Sequence, residues 1–178
     1  MPHSTVILNA AAMRRALTRI AHEIAERNEN SAEVALVGIQ RGGVLLARRL
    51  AATLVTIWNH PVRVGELDVS MHRDDLDQHA SNIKMKPTVI PFDITGKTVI
   101  LVDDVLFSGR TTRAALDALN DFGRPKRIQL AVLVDRGHRE LPIKADFVGK
   151  NFPTSALERI DVRFVEEGGA DEVTLEKT

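Results

Sequence analysis

Several residue types that characterise whole classes of protein are missing from this 178-residue chain. It has no cysteine, which excludes disulfide scaffolds, cysteine zinc sites and cysteine nucleophiles. No apolar run approaches the roughly 18 residues of a membrane-spanning helix, and the first residues lack the basic and apolar regions of a signal peptide. We therefore expect a cytoplasmic protein.

Aromatic residues and net charge are also scarce. The chain has one Trp and no Tyr, and its 24 basic residues balance its 24 acidic residues. A net charge of zero excludes a strongly basic chain, although it allows a local basic patch. A hydrophobic fraction of 44% and a charged fraction of 27% are typical of globular proteins. The length predicts a single domain over residues 1–178.

Apolar strands and amphipathic helices alternate along the chain. The runs that predict strands lie at residues 6–8, 34–39, 62–70, 98–102, 128–134 and 160–165. The spacing of apolar residues predicts three helices, at 10–28, 44–54 and 113–122. Asn9 would cap the first helix, and Gly123 would be the left-handed residue after the third. This alternation predicts an α/β fold with a mainly parallel sheet flanked by helices. We expect ligands at the carboxyl ends of the strands, in loops 40–43, 103–112 and 135–139.

Two adjacent acids and a glycine-containing loop follow one of these strands. Asp103 and Asp104 end the apolar run, and Ser108, Gly109 and Thr111 precede a helix. Backbone N–H groups at a helix N-terminus bind anions. The acids would repel a phosphate alone, so a ribose diol or a Mg²⁺ ion on the ligand is needed to satisfy them. The alternative is an ordinary strand-to-helix turn that Ser108 or Thr111 caps. The motifs of a Walker A loop and of a Rossmann fingerprint are both missing.

The segment from Val99 to Thr111 resembles the 13-residue ribose-5-phosphate signature of type I phosphoribosyltransferases at every position. In that family the two acids bind the ribose hydroxyls of phosphoribosyl pyrophosphate (PRPP), and the loop wraps its 5′-phosphate. The resemblance therefore implies catalytic roles for Asp103 and Asp104. The PRPP-binding residues that it implies are Val99, Ile100, Leu101, Val102, Asp103, Asp104, Val105, Leu106, Phe107, Ser108, Gly109, Arg110, Thr111 and Thr112.

Nearly the whole chain resembles the pyrimidine operon regulator/uracil phosphoribosyltransferase (PyrR) family. The matching segments include residues 14–23, 73–76, 133–142, 149–151 and 153–155. The resemblance implies the type I phosphoribosyltransferase fold with a flexible loop and a small hood, a homodimer or higher homo-oligomer, and two functions. One is the conversion of uracil and PRPP, with Mg²⁺, to UMP and pyrophosphate. The other is uridine-nucleotide-dependent regulation of the pyrimidine operon through attenuation of its leader mRNA. The alternative is another pyrimidine or purine phosphoribosyltransferase without an RNA-binding role.

The resemblance also implies residues that hold pyrophosphate. Arg73 would be a third catalytic residue, in a flexible loop over residues 69–86 that closes over the site. Arg41 and Gly42 would bind pyrophosphate after the second predicted strand. Alternatively, Gly42 and Gly43 only open the following helix.

The implied uracil site consists of Phe107, Arg136 and Val162. Phe107 stands where purine phosphoribosyltransferases usually carry an acid that faces the purine ring. An apolar ring offers no proton acceptor but packs against a base, which favours uracil over a purine. The alternative is that Phe107 fills the core.

A set of mostly basic residues completes the predicted sites. In regulatory members of the family, the matching positions bind RNA, and they are here Thr18, Arg19, His22, Arg27, Arg139, Lys144 and Lys150. Phosphate contacts from Arg and Lys would suit an mRNA hairpin. The alternative is an ordinary solvated helix face.

Overall fold

The computed structural model describes residues 3–73 and 86–177. In chain order, the elements are β1 (His3–Leu8), α1 (Ala10–Arg27), β2 (Val34–Ile39), α2 (Gly42–Trp58), β3 (Arg63–Leu67), β4 (Thr98–Leu106), α3 (Arg110–Leu119), β5 (Arg127–Asp135), β6 (Phe147–Asn151), β7 (Glu158–Arg163) and β8 (Glu172–Lys177). The predicted loop over residues 69–86 lies mostly outside the described residues. In the part of the chain that the structure describes, no helix is both long enough and apolar enough to span a bilayer.

The main sheet has five parallel strands in the order β3–β2–β4–β5–β6. Its central strands are apolar on both faces because helices cover both. On β4, Ile100 and Val102 pack with α1 and α2. Val99 and Leu101, which alternate with them, pack with α3 on the other side. The predicted α/β architecture is therefore confirmed, and the carboxyl ends of the parallel strands meet along one edge.

A second, antiparallel sheet has the strand order β1–β8–β7 and joins the two ends of the chain. We call this three-stranded sheet, with the turn over residues 164–171 that links β7 to β8, the hood. Ile160, Phe164, Val173 and Leu175 of the hood are buried in the same core as α1 and α2. The hood therefore packs directly on the α1–α2 side of the main sheet.

Helix α1 matches its prediction closely. It spans Ala10–Arg27, and the side chain of Asn9 accepts a hydrogen bond from the N–H of Ala12 at 2.8 Å, as a helix cap does. Its buried residues recur at helical spacing and include Met13, Leu17 and Ile24. Local sequence signals suffice here because the cap and the apolar stripe both lie within one segment.

Several predicted element bounds were wrong. Strand β4 continues to Leu106 because its ladder with β5 extends to the pair Leu106 and Asp135. Helix α3 begins at Arg110, after Gly109 adopts a φ of 91°, and it ends at Leu119. Gly123, with a φ of 139°, is therefore not the residue that terminates the helix. Strands β6 and β8 were not predicted.

Candidate active site

The predicted phosphate loop lines a cavity of about 280 Å³ at the carboxyl end of β4. Its walls are Arg73, Asp103, Glu140 and residues 105–112. The structure thus brings Arg73, which precedes β4 by more than twenty residues, to the same cavity as the loop. Helix α3 begins beside the cavity, so its N-terminal N–H groups and positive dipole end are available to an anion.

The two acids are held by backbone groups and differ in burial. Asp103 is 9% exposed, whereas Asp104 is half-buried. The N–H of Asp104 donates to Oδ1 of Asp103 at 2.9 Å, and the N–H of Val105 donates to Oδ1 of Asp104 at 2.8 Å. Burial raises the pKa of Asp103 well above its ordinary value, and the neighbouring charge of Asp104 raises it further, while Arg73 opposes both effects. The site therefore has two oriented carboxyl groups in different environments.

The first four residues of the predicted PRPP-binding segment are core residues. Val99, Ile100, Leu101 and Val102 are at most 1% exposed. Such burial leaves no surface for a ligand, so these residues position the acids and the loop rather than contact PRPP. The part of the segment that reaches the cavity is Asp103 and residues 105–112.

The loop is braced from outside by the segment that follows β5. The N–H groups of Glu140 and Leu141 donate to the carbonyl of Ser108 at 2.9 and 3.1 Å. Arg139 Nη1 donates to the carbonyl of Phe107 at 2.9 Å. A Cβ on Gly109 would lie 3.0 Å from Ile143, so the loop approaches this segment closely. These contacts occupy the carbonyls of Phe107 and Ser108 and hold the loop in place.

The expected pyrophosphate loop approaches the acids closely. A Cβ on Gly42 would lie 2.5 Å from Asp104 Oδ2, and one on Gly43 would lie 2.2 Å from the carbonyl of Val102. These glycines therefore do more than open α2, because they let the loop pack directly against β4. Arg41 is exposed just before them, and its peptide bond with Gln40 is cis. The loop of Arg41 and Gly42 and the acid pair lie side by side.

Phe107 and Arg136 form one unit beside the cavity. The Phe107 ring is 41% exposed, so it does not fill the core. The guanidinium carbon of Arg136 lies 4.3 Å from the centroid of that ring, which is a cation–π contact. The ring of His138 meets the edge of Phe107 at a centroid distance of 6.1 Å. An exposed aromatic ring bounded on two sides by polar groups suits a planar heterocycle.

Arg136 is buried and connects Phe107 to the hood. Its Nε donates to Thr154 Oγ1 at 2.9 Å, and its Nη2 donates to the carbonyls of Ser155 and Glu158 at 3.1 and 2.8 Å. Burial lowers the pKa of Arg136 from its ordinary value. Sequence reasoning missed Thr154, Ser155 and Glu158 as partners, because no local signal relates them to Arg136.

Val162 lies on β7, half-buried, where it packs against the hydrophobic core. No contact that the structure describes joins it to Phe107 or Arg136 within residues 3–73 and 86–177. Its role in binding uracil stays a prediction.

Four of the predicted RNA-binding residues lie exposed on α1: Thr18, Arg19, His22 and Arg27. Arg19 donates to the carbonyls of Val148 and Gly149 on β6 at 3.2 and 2.5 Å. Lys144 is exposed just before β6, and Lys150 is half-buried on it. These six residues lie on α1 and on or beside the edge strand β6, and we call them the α1–β6 face.

Arg139 differs from the other predicted RNA-binding residues. Its guanidinium donates to Asp135 Oδ2 at 2.5 Å and to the carbonyls of Ile143 and Phe107 at 2.8 and 2.9 Å. These contacts place it behind the phosphate loop. The described contacts of Arg139 are all within the protein. Its RNA-binding role stays a prediction.

Comparison with known proteins identifies the family. The family model of the phosphoribosyl transferase domain matches residues 3–160. Bifunctional protein PyrR of Roseiflexus sp. (strain RS-1) is 62% identical over 173 residues, which cover 97% of this chain and 94% of that protein. The chain belongs to the PyrR family of phosphoribosyltransferase-domain proteins. Bifunctional protein PyrR of Thermus thermophilus is 56% identical over 95% of this chain and 93% of that protein.

Solved structures confirm the fold. A hypoxanthine phosphoribosyltransferase of Trypanosoma cruzi aligns with a TM-score of 0.73 and 19% identity, over 96% of this chain and 95% of that chain. A hypoxanthine-guanine phosphoribosyltransferase of Bacillus anthracis aligns with a TM-score of 0.65 and 22% identity, over 84% of each chain. At these identities the likeness concerns the fold alone. The predictions of fold, family and transferase activity are confirmed, and the relatives' name, Bifunctional protein PyrR, agrees with two functions in one chain.

Proposed function

We propose that this PyrR-family protein transfers the phosphoribosyl group of PRPP to uracil, and that it also binds pyrimidine leader mRNA. The observation that carries the first function is the exposed Phe107 ring, stacked on Arg136 beside the cavity that Asp103 lines. The ring has no acceptor for a purine imidazole N–H, whereas its apolar face can pack against uracil. The aromatic ring and the phosphate loop are adjacent in the chain, so the base and the ribose would meet at C1′.

In the reaction, the bond between C1′ and the pyrophosphate oxygen breaks, and N1 of uracil bonds to C1′ while its proton is released. Asp103 and Asp104 accept hydrogen bonds from the ribose hydroxyls and place C1′. The loop at the start of α3 binds the 5′-phosphate. Arg41 and Arg73 offset the charge of the departing pyrophosphate. The residues of the chain thus act through position and electrostatics.

The residues at the cavity fit a Mg²⁺ ion that arrives with PRPP. Within residues 3–73 and 86–177, no group of three or more His, Asp or Glu side chains could hold a metal by itself. Two carboxylates beside a phosphate site do suit a Mg²⁺ whose other ligands are oxygens of the substrate. When bound, the ion would supply charge neutralisation to the pyrophosphate. Asp103 and Asp104 are the residues that would approach it.

Uracil transfer is tested directly with purified protein, Mg²⁺, PRPP and radiolabelled uracil. We expect UMP to form at a rate proportional to the protein concentration. Heat-denatured protein is the control for contaminating reactions, and orotate is the control for another pyrimidine. If wild-type protein binds PRPP but forms no UMP, the proposed base is wrong.

The α1–β6 face favours the second function. Thr18, His22 and Lys144 are exposed there, and among the described residues the structure shows no hydrogen bond or ion pair of their side chains. Phosphate contacts from such residues and polar contacts to exposed bases are typical of RNA loop recognition. Carboxylates of Glu23 and Asp146 lie among them, paired with Arg19 and Arg27, so the face is mixed in charge.

The RNA function is tested by titration of the leader RNA of the protein's own pyrimidine genes, with and without UMP. We expect UMP to strengthen binding, and linkage then requires RNA to strengthen UMP binding by the same factor. His22→Ala should weaken the binding of RNA but leave uracil transfer unchanged. Binding that is indifferent both to RNA sequence and to UMP would refute the regulatory function and leave the enzyme.

A further inference from the structure

Arg49 joins the helix that follows the pyrophosphate loop to the hood. It lies on α2, seven residues after Gly42, which corresponds to about 10 Å along the helix axis. Its side chain is only 23% exposed. The guanidinium leaves α2 and contacts the turn of the hood at residues 164–171.

Two carboxylates of the hood hold this guanidinium. Arg49 Nη1 and Nη2 donate to the two oxygens of Asp171 at 2.9 and 2.8 Å. Nε and Nη2 donate to the two oxygens of Glu166 at 3.0 and 2.5 Å. Paired contacts of this kind fix the orientation of an arginine as well as its position. We call these contacts the Arg49 junction.

The Arg49 junction also packs against an aromatic ring, and one of its carboxylates holds the backbone of the turn. The guanidinium carbon lies 5.2 Å from the ring centroid of Phe164, which is 1% exposed. Oδ1 of Asp171 accepts a further hydrogen bond from the N–H of Val165 at 2.9 Å. Arg49 therefore contacts carboxylates on a turn that is itself held by a hydrogen bond and by packing.

A second arginine shows what is particular to Arg49. Arg163 also pairs with several carboxylates, those of Asp161, Glu172 and Glu176. All three belong to the hood, and the Arg163 side chain is 49% exposed. Its contacts cannot position the hood relative to the main sheet. Those of Arg49 can, because they join the hood to α2.

The hood in turn reaches the base side of the cavity. Its strand β7 begins at Glu158, whose carbonyl accepts a hydrogen bond from the same Arg136 that stacks on Phe107. Besides its apolar packing on α1 and α2, the hood is therefore held by Arg136 beside the ring and by Arg49 on α2. The phosphate loop, by contrast, is braced by Arg139, Glu140 and Leu141, which lie outside the hood.

We propose that Arg49 is a positioning residue for the nucleobase, because its junction with Glu166 and Asp171 sets the hood over the Phe107 side of the cavity. The identity of the base rests on the proposed function, whereas the positioning does not. Loosening the junction should displace β7 and the partners of Arg136. It should leave the phosphate loop and the acids where they are.

The test compares Arg49→Met with Arg163→Met, which removes a similar number of ion pairs within the hood. In steady-state kinetics, we expect Arg49→Met to raise the KM for uracil about tenfold, a loss that corresponds to about 1.4 kcal/mol, with a smaller change in the KM for PRPP. Arg49→Lys should recover part of the loss, since an ammonium keeps the positive charge but lacks the planar fork that pairs two N–H groups with each carboxylate. Arg163→Met should leave both constants unchanged.

Hydrogen–deuterium exchange provides a readout that needs no substrate. Arg49→Met should speed amide exchange in β7 and β8 but not in residues 104–112, and Arg163→Met should do neither. If wild-type protein fails to use uracil, the proposed base fails while the exchange result still decides the positioning role.

Two results would overturn the proposal. One is a folded Arg49→Met with an unchanged KM for uracil and unchanged exchange in β7. The other is a parallel rise in both KM values with faster exchange everywhere, which would indicate a general loosening. If Arg49→Met does not fold, Asp171→Asn and Glu166→Gln each remove part of the junction and are judged by the same criteria.

Discussion

The two sides of the cavity are built in different ways. On the phosphoribosyl side, Asp103, Asp104 and the loop to Thr112 form one continuous stretch between a buried strand and a helix. On the base side, Phe107 belongs to that stretch, but Arg136 and residues 154–158 come from other parts of the chain. A continuous site depends on local structure, whereas an assembled site depends on how β5 and the hood pack. The two sides should therefore respond separately to substitution.

The largest expected effect is on the phosphoribosyl side. Asp104→Asn removes a carboxylate that would accept bonds from the ribose hydroxyls, and transfer should fall on the order of 10²-fold or more. The fold should survive, because Asp104 is only half-buried and its hydrogen bond with Val105 can be kept by Asn. Initial rates together with far-UV circular dichroism check this. A near-wild-type rate with an intact spectrum would contradict the account of the ribose site.

A substitution on the base side should have a smaller and different effect. Phe107→Ala removes the exposed ring and its contact with Arg136. Since base–aromatic stacking contributes about 1–3 kcal/mol, we expect the KM for uracil to rise roughly 5- to 150-fold. The KM for PRPP should change little, because the loop backbone is held through the carbonyl of residue 107 and not through its side chain. Equal increases in both constants would show that the two sides are not separable.

Asp103→Asn should stabilise the protein, although it removes a carboxyl group from the ribose site. The pKa of Asp103 is raised by burial, so its stabilising contribution is complete below the unfolded-state pKa and is lost as the pH rises through the folded-state pKa. We therefore expect Asp103→Asn to be more stable than the wild type at pH 7, where an ionised Asp103 is buried at a cost in free energy.

Urea unfolding of wild type and Asp103→Asn at pH 5, 7 and 8 measures this gain. The difference in unfolding free energy should grow with pH until Asp103 is fully ionised. A difference that is constant with pH, or a less stable variant, would mean that burial of the Asp103 charge does not destabilise the folded protein.

The smallest effect concerns the hood. Hydrogen bonds from Arg49 lower the pKa of Asp171 and of Glu166 from their ordinary values of 3.8 and 4.5. These two carboxylates therefore stabilise the folded protein at pH values above their ordinary pKa values. That stabilisation is lost as the pH falls through their lowered, folded-state pKa values. The difference in stability between wild type and Arg49→Met should shrink below about pH 4. Thermal melts between pH 3 and pH 7 check this, and a difference that stays constant would exclude the ion pairs as its source.

The contrast between a continuous site and an assembled site also explains which features could be predicted from the sequence. The strand, acids, glycine turn and helix of residues 98–112 give local signals, so the parallel sheet was predicted correctly. The binding of a phosphate by this loop stays a prediction. Helix α1 with its Asn9 cap was predicted for the same reason. The bounds of β4 and α3 were wrong because a ladder with β5 and the φ of Gly109 decide them.

Strand β6 and the partners of Arg136 gave no such signals. Strand β8 alternates Val173 and Leu175 with polar residues, a short pattern that was not recognised as a strand, and its place between β1 and β7 follows from the fold. Arg136 was predicted to bind uracil, but its contacts with Thr154, Ser155 and Glu158 follow from tertiary packing alone. The Arg49 junction likewise joins residues more than a hundred positions apart. The residue type at a single position was enough to predict a role for Arg136. The residues that contact Arg136 and Arg49 are known only from the folded structure.

The central claim is that the Phe107 side of the cavity selects uracil over a purine. Competition between two bases tests it most directly, because both reactions use the same phosphoribosyl side and differ only in the base. Wild-type protein is given Mg²⁺, limiting PRPP and equal concentrations of uracil and hypoxanthine, and both nucleotide products are quantified. We predict UMP with no detectable inosine monophosphate, because Phe107 offers a stacking surface but no acceptor for a purine N–H. Comparable amounts of the two nucleotides would contradict the assignment of the base site and leave only the phosphoribosyl side of the account.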